Sequence, residues 1–168
     1  LLAEQRPALQ FLVPLITRQT RQIFEEALYQ AGAQDLSVRL LFGHAHEAMA
    51  AADVVLVASG TATLEAALLK RPMVIAYKVG EMTYRLAKYL TYLPWVGLPN
   101  ILAREFLVPE LIQNDATPEK LAAAVGKWLD DKDACAQLAA RFEAIHLSLR
   151  QNNAEKAAET VALLLGRA

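Results

Sequence analysis

Asp53-Val54-Val55-Leu56-Val57-Ala58 runs directly into Ser59-Gly60-Thr61-Ala62-Thr63 and a second apolar stretch, and few folds accommodate that order. The first stretch is apolar at every position after Asp53, the pattern of a strand covered on both faces in the middle of a parallel sheet. Gly60 permits the sharp turn a strand needs to enter a helix. Thr61 to Lys70 reads as that helix, closed by Arg71-Pro72, and Met73-Val74-Ile75-Ala76-Tyr77 is a strand again. Strand, helix and strand in so short a span imply a right-handed βαβ unit.

The same alternation extends upstream. Gln10-Phe11-Leu12-Val13-Pro14 reads as a short buried strand. Thr17 to Tyr29 reads as a helix capped by Thr17, with Ile23, Phe24, Ala27 and Leu28 on its inner face and Gly32 at its end. Val38 to Phe42 is a strand broken by Gly43, and His44 to Ala51 is a short helix carrying Ala45, Ala48 and Met49 inward. After Tyr77 the pattern changes. Thr83 to Tyr92 reads as a helix and Pro94 to Pro99 as an irregular apolar loop. Pro118 to Leu129, Ala134 to Leu149 and Ala154 to Leu165 follow as three helices, the first behind Thr117. The expected class is α/β: a Rossmann-like parallel sheet flanked by helices, with a helical C-terminal tail. Residues 1–117 form the sheet domain, truncated at its amino end; helices in 118–168 pack back on it or cross to another subunit. The chain opens without Met, inside what reads as a helix end at Leu1 to Glu4, and is expected to be part of a longer protein.

Charge narrows the function classes. With 17 basic and 18 acidic residues the net charge is -1, which lacks the polycationic signature of nucleic-acid binding. A single cysteine, Cys135, rules out an internal disulfide framework, fits a reducing compartment, and reads as a small packing residue. The longest apolar run, Val54 to Ala58, is strand-sized, far short of the roughly 18 residues of a membrane span.

The turn after the third strand carries the chemistry. In open α/β sheets, ligands bind at the carboxyl ends of the strands. The free N–H groups of Gly60, Thr61 and Ala62 would face outward there, at the end of the helix where the dipole also favours anions. Ser59, Thr61 and Thr63 add hydroxyls. The result is a phosphate cradle without lysine, distinct from a Walker A loop. Glu65 lies one turn on, among Leu64, Ala66, Ala67 and Leu68. A carboxylate there can accept both hydroxyls of a ribose, or it can be a solvated helix-start residue. The Thr61 to Glu65 spacing is one residue too long for a capping box, which favours the ribose.

The flanking segments make the turn specific. Phe42-Gly43-His44-Ala45-His46-Glu47-Ala48-Met49, then the buried strand, then Ser59-Gly60-Thr61-Ala62-Thr63-Leu64-Glu65-Ala66 and Lys70-Arg71-Pro72-Met73-Val74 resemble the donor-binding half of GT-B glycosyltransferases. Tyr77-Lys78, Leu98-Pro99-Asn100-Ile101-Leu102-Ala103 and Glu105-Phe106-Leu107-Val108-Pro109-Glu110-Leu111 continue the match in order. The chain is similar to the carboxyl-terminal part of the lipid-A-disaccharide synthase family from about Phe11 to Leu149.

That resemblance implies transfer of a 2,3-diacylglucosamine unit from UDP-2,3-diacylglucosamine to 2,3-diacylglucosamine 1-phosphate. A β-1',6 linkage forms by inversion, UDP leaves, and neither a cofactor nor a metal is required. It assigns the diphosphate to Ser59, Gly60, Thr61 and Ala62, with Thr63 beside them, and the ribose to Glu65. Gly43 and His44 border the uracil, and Asn100, in the Leu-Pro-Asn signature, lines the active-site cleft. The general base and a diphosphate-binding arginine are expected in amino-terminal segments outside these residues, so the chain alone should bind weakly and catalyse nothing. The family also implies a cytoplasmic homodimer, peripheral on the inner face of the inner membrane, with the terminal helices exchanged.

Other features have plainer readings. His44 and His46 lack a third metal ligand nearby in sequence, so His44 caps its helix or borders the base and His46 is solvated. Ser59 lacks the frame of a nucleophile elbow. Tyr84, Tyr89, Tyr92, Trp95, Val96, Leu98 and Leu102, with Arg85 and Lys88 interleaved, pack between sheet and terminal helices or form a membrane patch. In the second case Tyr84 and Trp95 dip among acyl chains while Arg85 and Lys88 meet anionic head groups. Two rival functions remain: a sugar-nucleotide 2-epimerase of the same fold, and a non-catalytic module serving only assembly.

Overall fold

A computed structural model describes residues 1–58, 60–84 and 93–166, apart from the side chain of Asn153. The elements in order are α1 (Leu2–Gln5), β1 (Phe11–Leu15), α2 (Arg18–Gln30), β2 (Val38–Phe42), α3 (Ala45–Ala51), β3 (Val55–Val57) and α4 (Thr61–Leu68). Then come β4 (Met73–Tyr77), α5 (Leu98–Ala103), β5 (Glu110–Ile112), a 3₁₀ turn (Gln113–Asp115), α6 (Pro118–Asp130), α7 (Lys132–Leu149) and α8 (Asn153–Leu164). Residues 81–84 are helical; the rest of the expected Thr83–Tyr92 helix lies outside the described residues.

All strand pairs among the described residues are parallel. β1 pairs with β2, Phe11 opposite Val38 and Leu15 opposite Phe42. The second sheet has the order β3-β4-β5, with Val55 opposite Met73 and Ile75 opposite Glu110. This corrects the expectation for the Asp53–Ala58 strand. It is an edge strand of its sheet, and Leu56 is 55% exposed. β4 is the central strand: Met73, Val74 and Ile75 are each fully buried, so both of its alternating faces are covered. An apolar run records the capacity to be buried on two faces, and only the neighbouring elements decide whether it is.

Local chemistry sets the helix ends. The Thr17 hydroxyl accepts from the Thr20 N–H while Thr20 Oγ1 accepts from the Thr17 N–H, closing a reciprocal cap on α2. The Thr117 hydroxyl caps α6 by accepting from Lys120 N–H, ahead of Pro118 in the first turn. α2 buries less than its pattern predicts: Ile23 and Ala27 are exposed, and only Phe24 and Leu28 are partly covered. On α3, Ala48 and Met49 are buried but Ala45 is exposed. The Leu-Pro-Asn segment, expected to end an irregular loop, instead opens α5. There Pro99 fits the first turn, where a missing N–H costs nothing.

The core joins the second sheet to α4 and α7. Leu138, Phe142 and Ile145 recur at helical spacing along α7 and meet Met49, Ala66, Ala67, Met73, Ile75 and Val108. Alanines at 66 and 67 let α4 and α7 approach closely. α6 packs along β4, and its Trp128 Nε1–H donates to the Met73 carbonyl at 3.1 Å. The Cys135 thiol donates to the Trp128 carbonyl at 3.1 Å. Burial, and then the Asp131 charge, pushes the Cys135 thiol above its usual range. Because the thiolate is the reactive form, iodoacetamide at pH 8 should alkylate Cys135 several-fold more slowly in the folded chain than in urea. Equal rates would mean the thiol is not held in this contact.

α8 does not bury its apolar side. Val161, Leu163, Leu164 and Leu165 at its carboxyl end are all exposed.

Candidate functional site

The turn between β3 and α4 is built on Gly60, whose φ of 121° and ψ of -163° fall in a region essentially closed to other residues. A Cβ added there would meet nothing within 4 Å, so the constraint is the backbone and the space beside it is open. α4 has no side-chain N-cap; in its first turn Thr63 N–H donates to the Gly60 carbonyl at 3.1 Å, while the Thr61 and Ala62 N–H groups have no intrahelical acceptor. Thr61 and Glu65 are exposed and Ala62 is partly so. Four residues apart, Thr61 and Glu65 share a helix face. Ser59 lies outside the described residues.

Thr63 departs from its expected role as a ligand hydroxyl. It is 0% exposed; its Oγ1–H donates to the Gly60 carbonyl at 2.7 Å, and the oxygen accepts from Leu98 N–H at 3.2 Å. Two positions after Thr61, it has rotated to the inward face of α4 with Ala66 and Ala67. The hydroxyl braces the turn from behind.

Asn100 is likewise corrected. Rather than lining a cleft, it is 0% exposed. Its Nδ2 donates to the Val108 carbonyl and to Glu110 Oε1, and its Oδ1 accepts from the Leu107 and Val108 N–H groups. Its hydrogen-bonding capacity is spent inside the protein.

Gly43 and His44 follow β2 in consecutive left-handed conformations, φ 72° and 54°. Gly43 N–H donates to the Leu15 carbonyl at 3.0 Å, tying the ends of β1 and β2 together. His44 is exposed at the start of α3, where its ring provides no cap and Nδ1 lies 3.4 Å from Glu47 Oε1. Bonding to its own backbone first, and to His44 second, holds the Glu47 carboxyl below its usual range. No hydrogen bond or ion pair joins His44 to residues 60–65 among the described residues. Among those residues, no group of three or more His, Cys, Asp or Glu side chains could hold a metal ion.

Of the aromatic patch, Arg85, Lys88, Tyr89 and Tyr92 lie outside the described residues. Tyr84 and Trp95 are partly covered, and Trp95 packs edge-on against Phe106 with ring centres 6.1 Å apart. The side chains that project are Met82, 86% exposed, with Leu93, Leu102 and Phe106. No helix among the described residues is long and apolar enough to cross a membrane.

Glu110, Gly97 and Gln113, which tie the segments around β4 and β5 together, were not singled out by the sequence reading. Gln113 clasps the segment that leaves β4: its Oε1 accepts from Val79 N–H at 2.7 Å and its Nε2 donates to the Val79 carbonyl at 2.9 Å. The one available signal was a glutamate opening an otherwise apolar segment, Glu110-Leu111-Ile112.

A family model described as lipid-A-disaccharide synthetase matches residues 1–164. The lipid-A-disaccharide synthase of Aromatoleum aromaticum is 62% identical over 167 residues, which cover 99% of this chain and 43% of that protein. The synthase of Azoarcus sp. is 63% identical over 161 residues, covering 96% of this chain and 41% of the relative. That of Pseudomonas aeruginosa is 49% identical over 163 residues, covering 97% and 42%. The chain therefore spans about two fifths of the length of these relatives. None of these matches supports the 2-epimerase alternative.

Proposed function

Because the chain belongs to the lipid-A-disaccharide synthase family, we propose that it is the donor-binding part of an inverting glycosyltransferase in lipid A biosynthesis. Its donor is UDP-2,3-diacylglucosamine and its acceptor 2,3-diacylglucosamine 1-phosphate. The observation that carries the reading is the Gly60 turn, a glycine-only backbone opening an uncapped helix start at the carboxyl end of a parallel strand.

In this reading the acceptor 6-hydroxyl attacks the anomeric carbon from the face opposite UDP. The new C–O bond forms as the bond to the diphosphate breaks, and the hydroxyl proton passes to a base supplied from outside these residues. Charge develops on the departing diphosphate, and the N–H groups of Gly60, Thr61 and Ala62, with Ser59, oppose it. Glu65 accepts the ribose hydroxyls, and Gly43 and His44 border the uracil. Residues 1–117 hold the nucleotide. No cofactor enters the reaction.

The acylated substrates fit a protein peripheral on the cytoplasmic face of the inner membrane. The projecting Met82, Leu93, Leu102 and Phe106 support that contact, and Tyr84, Arg85, Lys88 and Trp95 are proposed to share in it. The uncovered apolar residues of α8 support a homodimer in which the helices of 118–168 meet a second copy.

The direct test is product formation by the full-length protein from UDP-2,3-diacylglucosamine and 2,3-diacylglucosamine 1-phosphate, with release of UDP. Absence of disaccharide with folded protein rules the reading out. Glu65→Ala should weaken UDP binding about tenfold or more by isothermal titration, the loss of hydrogen bonds to a charged acceptor. Affinity unchanged by the substitution would return Glu65 to a solvated helix position.

A further inference from the structure

Glu110 opens β5 beside Ile75, and its partly buried carboxylate gathers three donors from one short stretch of chain. The Val96 N–H, the Gly97 N–H and the Asn100 amide each approach it at 2.8 Å. Such charge-assisted bonds are the strong ones, and together they offset the cost of withdrawing a carboxylate from water. Gly97 is pressed against the sheet: a Cβ there would fall 2.2 Å from Ile75 Cδ1 and 3.2 Å from Glu110 Oε1. Asn100 fixes the far end of the same segment through Leu107 and Val108. One residue beyond Gly97, Leu98 N–H donates to Thr63 Oγ1, and that hydroxyl donates to the Gly60 carbonyl. An unbroken path therefore runs from the Glu110 carboxylate, through Gly97 and Leu98, to the turn itself.

We propose that Glu110 is a positioning residue for the diphosphate turn, holding the Gly60 carbonyl in place through Leu98 and Thr63 without touching the substrate. The proposal rests on reading the Gly60 turn as the diphosphate site. In Glu110→Gln the amide oxygen can keep Gly97 and Asn100, but an NH₂ group is then turned toward the Val96 N–H. Two donors face each other and the segment loosens, while the apolar core is untouched.

The test uses the full-length protein and UDP as the probe. Glu110→Gln and Thr63→Val should each weaken UDP binding about tenfold in protein that a thermal scan shows to be folded. Because both cut one path, the double variant should lose no more than about what either loses alone. Amide exchange at Thr63 and Leu98 should quicken in Glu110→Gln while exchange around Phe142 stays as in the parent. A purely architectural Glu110 would lower Tm and quicken exchange throughout, with UDP affinity held within about twofold and additive effects; that result overturns the proposal. If the parent itself binds no UDP, the diphosphate reading has failed, and exchange still decides the brace: unchanged exchange at Thr63 in Glu110→Gln removes it.

Discussion

Gly60→Val is expected to fold and to bind UDP at least about 100-fold more weakly than the parent, a change of roughly 2.8 kcal/mol. Two effects combine. A β-branched residue is stiff and cannot settle at φ 121°, ψ -163°, where strain of order 1–3 kcal/mol per residue drives the backbone elsewhere. The N–H groups of Gly60, Thr61 and Ala62 then no longer converge. A Cβ added there meets nothing within 4 Å, so the valine side chain is expected to enter the open space where a diphosphate would lie. Calorimetric titration of UDP measures the first outcome, and a thermal scan verifies that the variant is folded. Gly60→Ala should fall between, since it brings the strain with little of the bulk. A folded valine variant that binds UDP within about threefold of the parent would move the diphosphate site away from this turn.

Phe142→Ala should cost about 3–5 kcal/mol of stability, the usual range for emptying a buried aromatic site. Phe142 is 0% exposed and lies between Leu138 and Ile145 on α7, against Ala66, Ala67, Met73, Ile75 and Val108. Alanines dominate the facing surface of α4, so few long side chains stand ready to swing into the space, and the cavity should persist. Against a total stability of about 5–15 kcal/mol for a domain, much of the folded population is at stake. In urea the midpoint should drop sharply with the slope preserved, and Leu147→Ala, on the exposed side of the same helix, should stay within about 0.5 kcal/mol. A Phe142→Ala loss below about 1 kcal/mol would mean that α7 does not seal this core. The site depends on that seal, because the helix bearing Thr61 and Glu65 is held to the sheet by the same cluster.

Much of this was legible beforehand, for reasons that can be traced to particular residues. β2 and β4 fall at the residues their apolar runs mark, and the three C-terminal helices lie within two residues of their predicted starts. Thr17 caps the helix it was expected to cap, and Thr117, which the sequence placed directly ahead of its helix, caps that one. A cap or a periodic stripe depends on residues three or four apart, so the sequence displays it directly. β5 was missed because three residues, one of them a glutamate, carry too little pattern to mark a strand. The Leu98–Ala103 helix was missed because the Pro, Gly and Trp before it read as loop.

The chain by itself determined that a strand ends in a glycine turn at residue 60, that a helix follows, and that Glu65 shares a face with Thr61. Tertiary structure alone decided which polar groups near that turn face outward and which brace it from within. Thr63 and Asn100 read as site residues by type and neighbourhood, yet their partners are Leu98, 35 residues from Thr63, and Glu110, 10 from Asn100. Burial depends on what packs alongside, and a hydroxyl or amide spends its hydrogen bonds wherever buried N–H and C=O groups require them. That requirement becomes fixed only when β4, β5 and α5 have come together around it.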